Sequence, residues 1–290
     1  MKRILIIPKI KIHNANALSS PFTIGFPAMT AWLGAVHALQ RKVNTSGFEE
    51  VKFIQTGIVC HEIDMQTYKG RGDFVHSIIG TGNPLEKTGK RPSFIEEARC
   101  HLTVSLVIEF KDLDIDDYQE FIELLINLIQ TMKFASGDML SCETPVIEKI
   151  VKDEDIKIIM KYLMPGHCLI ERKKLMQETM EQGQDAIDAL LDYIKITTKC
   201  ERDEKDKVTW KTTRKAKGWL VPIAVGFHGI SELNQVLNQR DGKTPHRFAE
   251  SVVTLGEFIM PYRLDNIGEM LWHYDYDKEA QLYLCKQTKI

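Results

Sequence analysis

The six cysteines of this 290-residue sequence (Cys60, Cys100, Cys142, Cys168, Cys200 and Cys285) never fall in a Cys-x-x-Cys pair. That spacing excludes the common zinc-ribbon and redox arrangements, and it fits a reduced, cytoplasmic protein with unpaired core thiols. No apolar run reaches the length of a membrane span, and the opening Met1–Pro8 run is too short for a signal peptide, so no membrane role is expected. Excess charge is also missing: 38 Lys and Arg stand against 40 Asp and Glu, a formal net charge of -2. Binding of bare nucleic acid by net charge alone is thereby excluded; any such role needs local patches or partner subunits. Hydrophobic residues at 43% and charged residues at 27% exclude wholesale disorder and supply a core for one large domain or two small ones.

Catalytic motifs are scarce as well. Ser19-Ser20-Pro21 lacks the glycines of a nucleophile elbow, and the glycines at 70, 72, 80 and 82 form neither a Walker loop nor a dinucleotide fingerprint. Cys60-His61, Cys100-His101 and His167-Cys168 are neighbours in sequence, but adjacent strand residues point to opposite faces, so no pair chelates a metal by itself. Imidazole as a group suits general-base work on RNA near neutrality, which makes His37, His61 and His101 candidates, yet none has a partner at a telling spacing. No catalytic residue, metal or cofactor is expected.

What is present is a clear alternation of elements. Arg3–Ile12 reads as a strand, and Pro27 opens a helix carrying Met29, Trp32, Leu33, Val36 and Leu39 at helical spacing, with Gln40-Arg41-Lys42 at its end. Val51–His61 is a second strand. Residues 64–92 are rich in glycine and cations and form a long inserted hairpin or arm. Cys100–Phe110 alternates with a period of two, and Asp116 or Asp117 caps a helix running to Phe134. Strand, helix, strand, excursion, strand, helix is the opening of a ferredoxin-like (RNA-recognition-type) βαββαβ core, an α+β fold. His167–Arg172 and Trp219–Phe227 are the candidates for its closing strand. Asp153–Met164, Lys173–Gln182, Asp185–Thr197, Arg247–Met260 and Asp265–His273 read as helices, Cys200–Lys217 as a charged linker, and Gln281–Gln287 as a last strand. The expected division is a core over 1–150, with its arm at 64–92, and helical and strand additions over 151–290 that complete the core and dock partners.

The stretch His13-Asn14-Ala15-Asn16-Ala17-Leu18-Ser19-Ser20-Pro21 is more polar than a plain turn needs. Beside it stand cation clusters: Lys9 and Lys11 on the first strand, Arg41 and Lys42 at the helix end, and Lys87, Lys90 and Arg91 in the arm. Charge runs are ordinarily just solvated surface, but on a ferredoxin-like core they mark a phosphate track beside a base-reading surface.

More specific motifs then run in order through nearly the whole chain. They include Asn14-Ala15-Asn16-Ala17, Ser19-Ser20-Pro21, Gly25-Phe26-Pro27, Val36-His37-Ala38-Leu39-Gln40-Arg41 and Gly57-Ile58-Val59-Cys60-His61. Asn83-Pro84-Leu85, His101-Leu102-Thr103-Val104-Ser105-Leu106, Gly218-Trp219-Leu220-Val221-Pro222-Ile223, Thr244-Pro245 and Leu255-Gly256-Glu257 continue the series. In these the sequence resembles the second Csy subunit, the Cas-five-type subunit, of the type I-F CRISPR surveillance complex. The resemblance implies a ferredoxin-like core with a projecting thumb and no catalytic activity. It also implies pairing with the large Csy subunit, binding of the 5′ handle of the CRISPR RNA, contact with the backbone Csy subunit, and target double-stranded DNA met through the assembled complex.

On that basis Asn14, Asn16, Ser19 and Ser20 are expected to hydrogen-bond handle bases or sugar edges. His37 and Arg41 are expected to hold phosphates or buttress the loop, and Lys87, Lys90 and Arg91 to act from the thumb. The alternative weighed is a metal-independent endoribonuclease that processes CRISPR RNA.

Overall fold

The computed structural model describes residues 2–79, 84–92, 97–152, 155–202, 207–239 and 241–287. The Gly80–Asn83 part of the expected arm and the first residues of the helix expected from Asp153 lie outside them. What is described is a mixed α+β fold with one eleven-stranded sheet.

The first strand, β1 (Lys2–Asn16), is longer than its sequence pattern, because two bulges let it stay in register with the core. Leu5 and Ile7, then Ile10 and Ile12, then Ala15 all reach the same buried layer. The switches of parity fall where the register shifts, and there Lys9 (φ 50°) and Asn14 (φ 56°) take the left-handed conformation. One extra residue at each point keeps the apolar side chains inward and turns Lys11 and His13 outward.

A small hairpin follows, β2 (Leu18–Ser20) and β3 (Thr23–Ile24), and leads into α1 (Met29–Asn44). Met29, Trp32, Leu33, Val36, Leu39 and Val43 form the buried stripe of α1, each full burial contributing about 1.5–3 kcal/mol. Arg41 and Lys42 lie in its last turn, where cations meet the negative end of the dipole. Next come β4 (Lys52–Met65), the arm with its short pair β5 (Thr67–Tyr68) and β6 (Ser77–Ile78), β7 (Arg99–Lys111) and α2 (Tyr118–Gln130).

The strand on the outer side of β1 is neither of the two expected. After the short β8 (Lys133–Phe134), β9 (Gly137–Ser141) pairs antiparallel with the far half of β1, and β10 (Val146–Ile150) with its near half. The two short strands were missed because each has only five residues and Pro145 separates them.

The second half adds α3 (Ile156–Leu163), β11 (His167–Glu171), α4 (Lys173–Met180), α5 (Ala186–Ile194) and a separate two-stranded ribbon, β12 (Thr197–Arg202) with β13 (Val208–Thr213). Then come β14 (Trp219–Gly229), β15 (Ala249–Ile259), β16 (Trp272–Asp277) and β17 (Leu282–Gln287). These strands extend the sheet beyond β4, in the order β4-β16-β17-β14-β15-β11, and β11 pairs with β4 as well, so the path returns on itself.

Two expected helices are corrected. Residues 249–259 are a strand, because Val252, Val253 and Thr254 favour the pleated surface and Gly256 lets Ile223 of β14 approach; a Cβ at Gly256 would sit 2.9 Å from Ile223 Cδ1. Residues 265–273 make only a 3₁₀ turn, Ile267–Met270, started by an Asn266–Glu269 capping box, before β16 begins at Trp272. The expected linker at 200–217 is mostly the β12–β13 ribbon.

Burial divides the central strands. One face lies under α1 and α2 along its whole length. The other is covered only at its near half, where Ile4, Ile6, Val59 and Val107 pack against Ile156, Ile159 and Leu163 of α3 and against Ile267 and Met270. The far half of that second face carries polar side chains.

Candidate nucleic-acid interface

The polar end of the second face is built from β1, β4 and β7, the strands from which the opening hairpin and the arm depart. Lys11, His13 and Asn16 are exposed on β1, Arg99 and His101 half-buried on β7, and Glu62 and Asp64 exposed on β4. The register sets Asn16 opposite Arg99 and Asp64 opposite His101. The His13 and His101 rings stack with centroids 4.1 Å apart, 15° from parallel. His101 Nδ1 accepts the Asn14 backbone N–H at 3.1 Å, and the Arg99 guanidinium reaches the Asn14 carbonyl at 3.5 Å while pairing with Glu97. Asparagine suits the left-handed position here, and that bulge is what turns His13 toward His101. Asn16 Oδ1 accepts the Leu18 N–H at 3.0 Å, and its amide NH₂ has no partner among the described residues. Asp138 is the residue opposite His13, and the Lys133 ammonium, 2.7 Å away, holds its carboxyl below the ordinary range.

The serines have a different place. Ser19 Oγ lies 2.8 Å from Thr23 Oγ1 and Ser20 Oγ 2.7 Å from the same atom, while Ser20 also accepts the Phe22 N–H at 3.1 Å. Ser20 is only 4% exposed, so its hydroxyl is engaged inside the hairpin. Phe22, 80% exposed, stands at the hairpin tip instead.

Where the polar face meets the covered half, a second cluster ties the two together. His61 Nε2 lies 2.7 Å from Ser105 Oγ, which accepts the Lys9 backbone N–H at 3.0 Å. His61 Nδ1 lies 2.5 Å from the Pro165 carbonyl and 2.7 Å from Lys9 Nζ. A neutral ring that donates from Nδ1 to Pro165 and accepts the Ser105 hydroxyl at Nε2 satisfies those two contacts, and leaves the Lys9 ammonium beside the ring as a nearby charge. Burial lowers the pKa of His61, the Lys9 charge lowers it further, and the Pro165 bond with Glu143 and Glu62 opposes. Burial also lowers Lys9, against Glu143 and Glu62. Ser105 is fully buried, so this cluster fastens the turn before β11 to the central sheet and offers no accessible nucleophile.

The remaining expected residues do not join the polar face. α1 runs away from the opening hairpin, and at 1.5 Å per residue Arg41 stands about 18 Å along the axis from Met29. His37, exposed on α1, borders a shallow depression with Phe53, Trp272 and Tyr274, under the sheet face opposite to that of His13. Lys87, Lys90 and Arg91 are exposed on a turn of the arm closed by Gly89 N–H to Glu86 O and Glu86 N–H to Lys90 O. The arm's root is bound to the polar face: Gln66 N–H donates to Arg99 O, and Ala17 N–H to Ala98 O.

Of the residues expected from sequence, Asn14, Asn16 and Lys11 lie at the polar end of the face, and Arg99 and the His13–His101 stack, which the sequence pattern did not single out as a unit, stand beside them. Among the described residues no three His, Cys, Asp or Glu side chains converge as metal ligands would, and no helix is long and apolar enough to cross a membrane. Burial pushes the thiols of Cys60, Cys100, Cys168 and Cys285 up to about 12, which keeps them protonated and unreactive.

Comparison with known proteins bears on what such a face is for. Residues 5–285 match the family described as CRISPR-associated protein (Cas_Csy2). The chain is 32% identical to the CRISPR-associated protein Csy2 of Pseudomonas aeruginosa (strain UCBPP-PA14), over 97% of this chain and 94% of that protein.

Proposed function

The chain belongs to the Csy2 family of CRISPR-associated proteins, and from that premise we propose that it is a non-catalytic subunit of a type I-F CRISPR RNA-guided surveillance complex. In this reading it binds the 5′ handle of the CRISPR RNA, pairs with the large Csy subunit, abuts the backbone Csy subunit, and meets target double-stranded DNA through the assembled complex. Residues 1–150 are the RNA-binding core and 151–290 the part that docks partners. A ferredoxin-like core is supported by the antiparallel order β9/β10-β1-β7-β4, with α1 and α2 on one face.

The observation that carries the reading is the polar end of the second face. Single-stranded RNA is recognised by stacking unpaired bases on flat side chains and by hydrogen bonds to their edges. The paired rings of His13 and His101 offer the flat surface, the Asn16 amide the donors, and Lys11 and Arg99 the charge for the phosphates. Asn14 acts by holding His101, and Ser19 and Ser20 by holding the hairpin beside the face. His37 and Arg41 stand apart from this surface and are assigned to protein contacts. Lys87, Lys90 and Arg91 lie on an arm rooted at the same sheet end, which suits an RNA strand leaving the face.

RNA cleavage would need a general base and acid within reach of one phosphodiester. His37, His61 and His101 belong to three different elements, and His61 is held by Ser105 and Pro165, so the scaffold reading is preferred. The test is co-expression with a CRISPR RNA and the other Csy subunits. Co-purification of all components, with loss of RNA on changing Lys11 and Arg99 to glutamate, is the expected result. Elution of this chain alone and free of RNA, or site-specific cleavage of repeat RNA by the purified chain, contradicts it.

A further inference from the structure

Within the cluster of Lys9, His61 and Ser105, the serine is fully buried, but Lys9 is only half-buried and carries an amine. Lys9 sits at the first bulge of β1 in the left-handed conformation, and Ser105 Oγ fixes its backbone N–H at 3.0 Å. From that anchored position its Nζ lies 2.7 Å from His61 Nδ1.

The setting differs from that of an ordinary surface lysine. Lys2, Lys133 and Lys173 hold carboxylates at 3.0, 2.7 and 3.0 Å. Lys9 makes no ion pair among the described residues, and Glu143 and Glu62 act on it only from a distance. Its nearest partner is a ring nitrogen whose proton is already committed. A carbonyl oxygen can only accept, so the short contact to Pro165 requires a hydrogen on His61 Nδ1. The Lys9 ammonium therefore faces an N–H rather than a lone pair. Loss of one proton turns Nζ into an acceptor for that same N–H and removes the conflict. Burial works in the same direction, lowering the pKa of Lys9 against the pull of Glu143 and Glu62. Desolvation that frees the amine is a general route by which lysine becomes a nucleophile.

We propose that Lys9 is a modification site that accepts the acyl group of a small acyl phosphate. The Nζ lone pair attacks the acyl carbon, and the N–C bond forms. The bond from that carbon to the bridging oxygen breaks, and its electron pair leaves with the phosphate. The proton lost from Nζ goes to the departing phosphate. Lys11, exposed on the same face, offsets Glu62 and Glu143 for the incoming anion. The product replaces a cation by a neutral amide where the polar face meets the covered half.

The test incubates the full chain, free of RNA, with acetyl phosphate from pH about 7 to about 11 and follows each lysine by peptide mass spectrometry. Lys9 should be acetylated several-fold faster than Lys11, and its rate should level off below the ordinary lysine value of about 10.5. His61→Gln, whose amide oxygen accepts from the ammonium, should slow Lys9 to the rate of Lys11. The pH profile needs no variant, so it decides the matter where His61→Gln does not fold. Lys9 reacting no faster than Lys11, or with a rate still climbing at pH about 10.5, overturns the proposal. So does an unchanged Lys9 rate in folded His61→Gln, which would take the ring out of the account. Acetylation by acetyl-coenzyme A alone also overturns it, because the donor would then be a bulky thioester. All of these are read on the free chain, so they stand apart from the handle reading, whose test is RNA retention.

Discussion

His13 and His101, on neighbouring strands, lie ring over ring with centroids 4.1 Å apart. The stack exists because the Asn14 bulge shifts β1 by one residue, and the Asn14 N–H then fixes the His101 ring through Nδ1. Base stacking on an aromatic ring is worth about 1–3 kcal/mol per base, so His13→Ala should weaken handle RNA binding about 5- to 150-fold. His101→Phe, which keeps a flat ring but loses the Nδ1 acceptor, should lose less than His101→Ala. Fluorescence titration with a handle oligonucleotide checks the order.

Ser20→Ala separates structure from contact. The hydroxyl is buried and shared between Thr23 Oγ1 and the Phe22 N–H. Its removal should cost about 1 kcal/mol of stability, seen as a lower urea midpoint, and leave RNA affinity of the folded protein unchanged.

The Lys9–His61–Ser105 cluster predicts a pH dependence of stability. A histidine whose folded pKa lies below its unfolded value of about 6.5 favours folding above that value. Stability should therefore fall as pH drops through about 6.5 toward the lowered folded pKa. Lys9, also lowered, acts at the other end: stability should rise with pH toward its ordinary value of about 10.5. Thermal unfolding from pH about 7 to about 5 should show a smaller acid loss for His61→Gln than for the unaltered chain.

Gly137→Ala should disturb the interface from beneath. A Cβ there would sit 2.6 Å from Ile12 Cγ2 and 2.8 Å from both the Ala15 nitrogen and the His13 oxygen. The clash is partly with backbone, so β1 must shift just where it presents His13. About 1–3 kcal/mol of destabilisation and a weakened RNA contact are expected together, measured by urea unfolding and by the same titration.

How much of this was legible depended on element length and register. The strands and helices of the first half announced themselves because β1, α1, β4 and β7 each carry long runs of a single period. In β15 the apolar residues Val252, Leu255 and Phe258 recur at three-residue spacing, as in a helix, and only Gly256 and the β-branched neighbours argue otherwise. Asn14 and Asn16 were legible as excess polarity after a strand. The partnership of His13 with His101 was not, because two bulges set their register and no local sequence signal fixes a bulge. His37 and Arg41 are close to the loop in sequence but not in space, because α1 carries Arg41 about 18 Å along its axis from Met29.

The central claim is that the polar end of β1 and β7 grips the guide's handle. Photo-cross-linking of the assembled complex, with a photoreactive base placed at successive handle positions and the adducts located by mass spectrometry, tests it most directly. Cross-links within residues 11–16 and 99–103 are predicted. Cross-links confined to α1 around His37 and Arg41, or none on this chain, would contradict it.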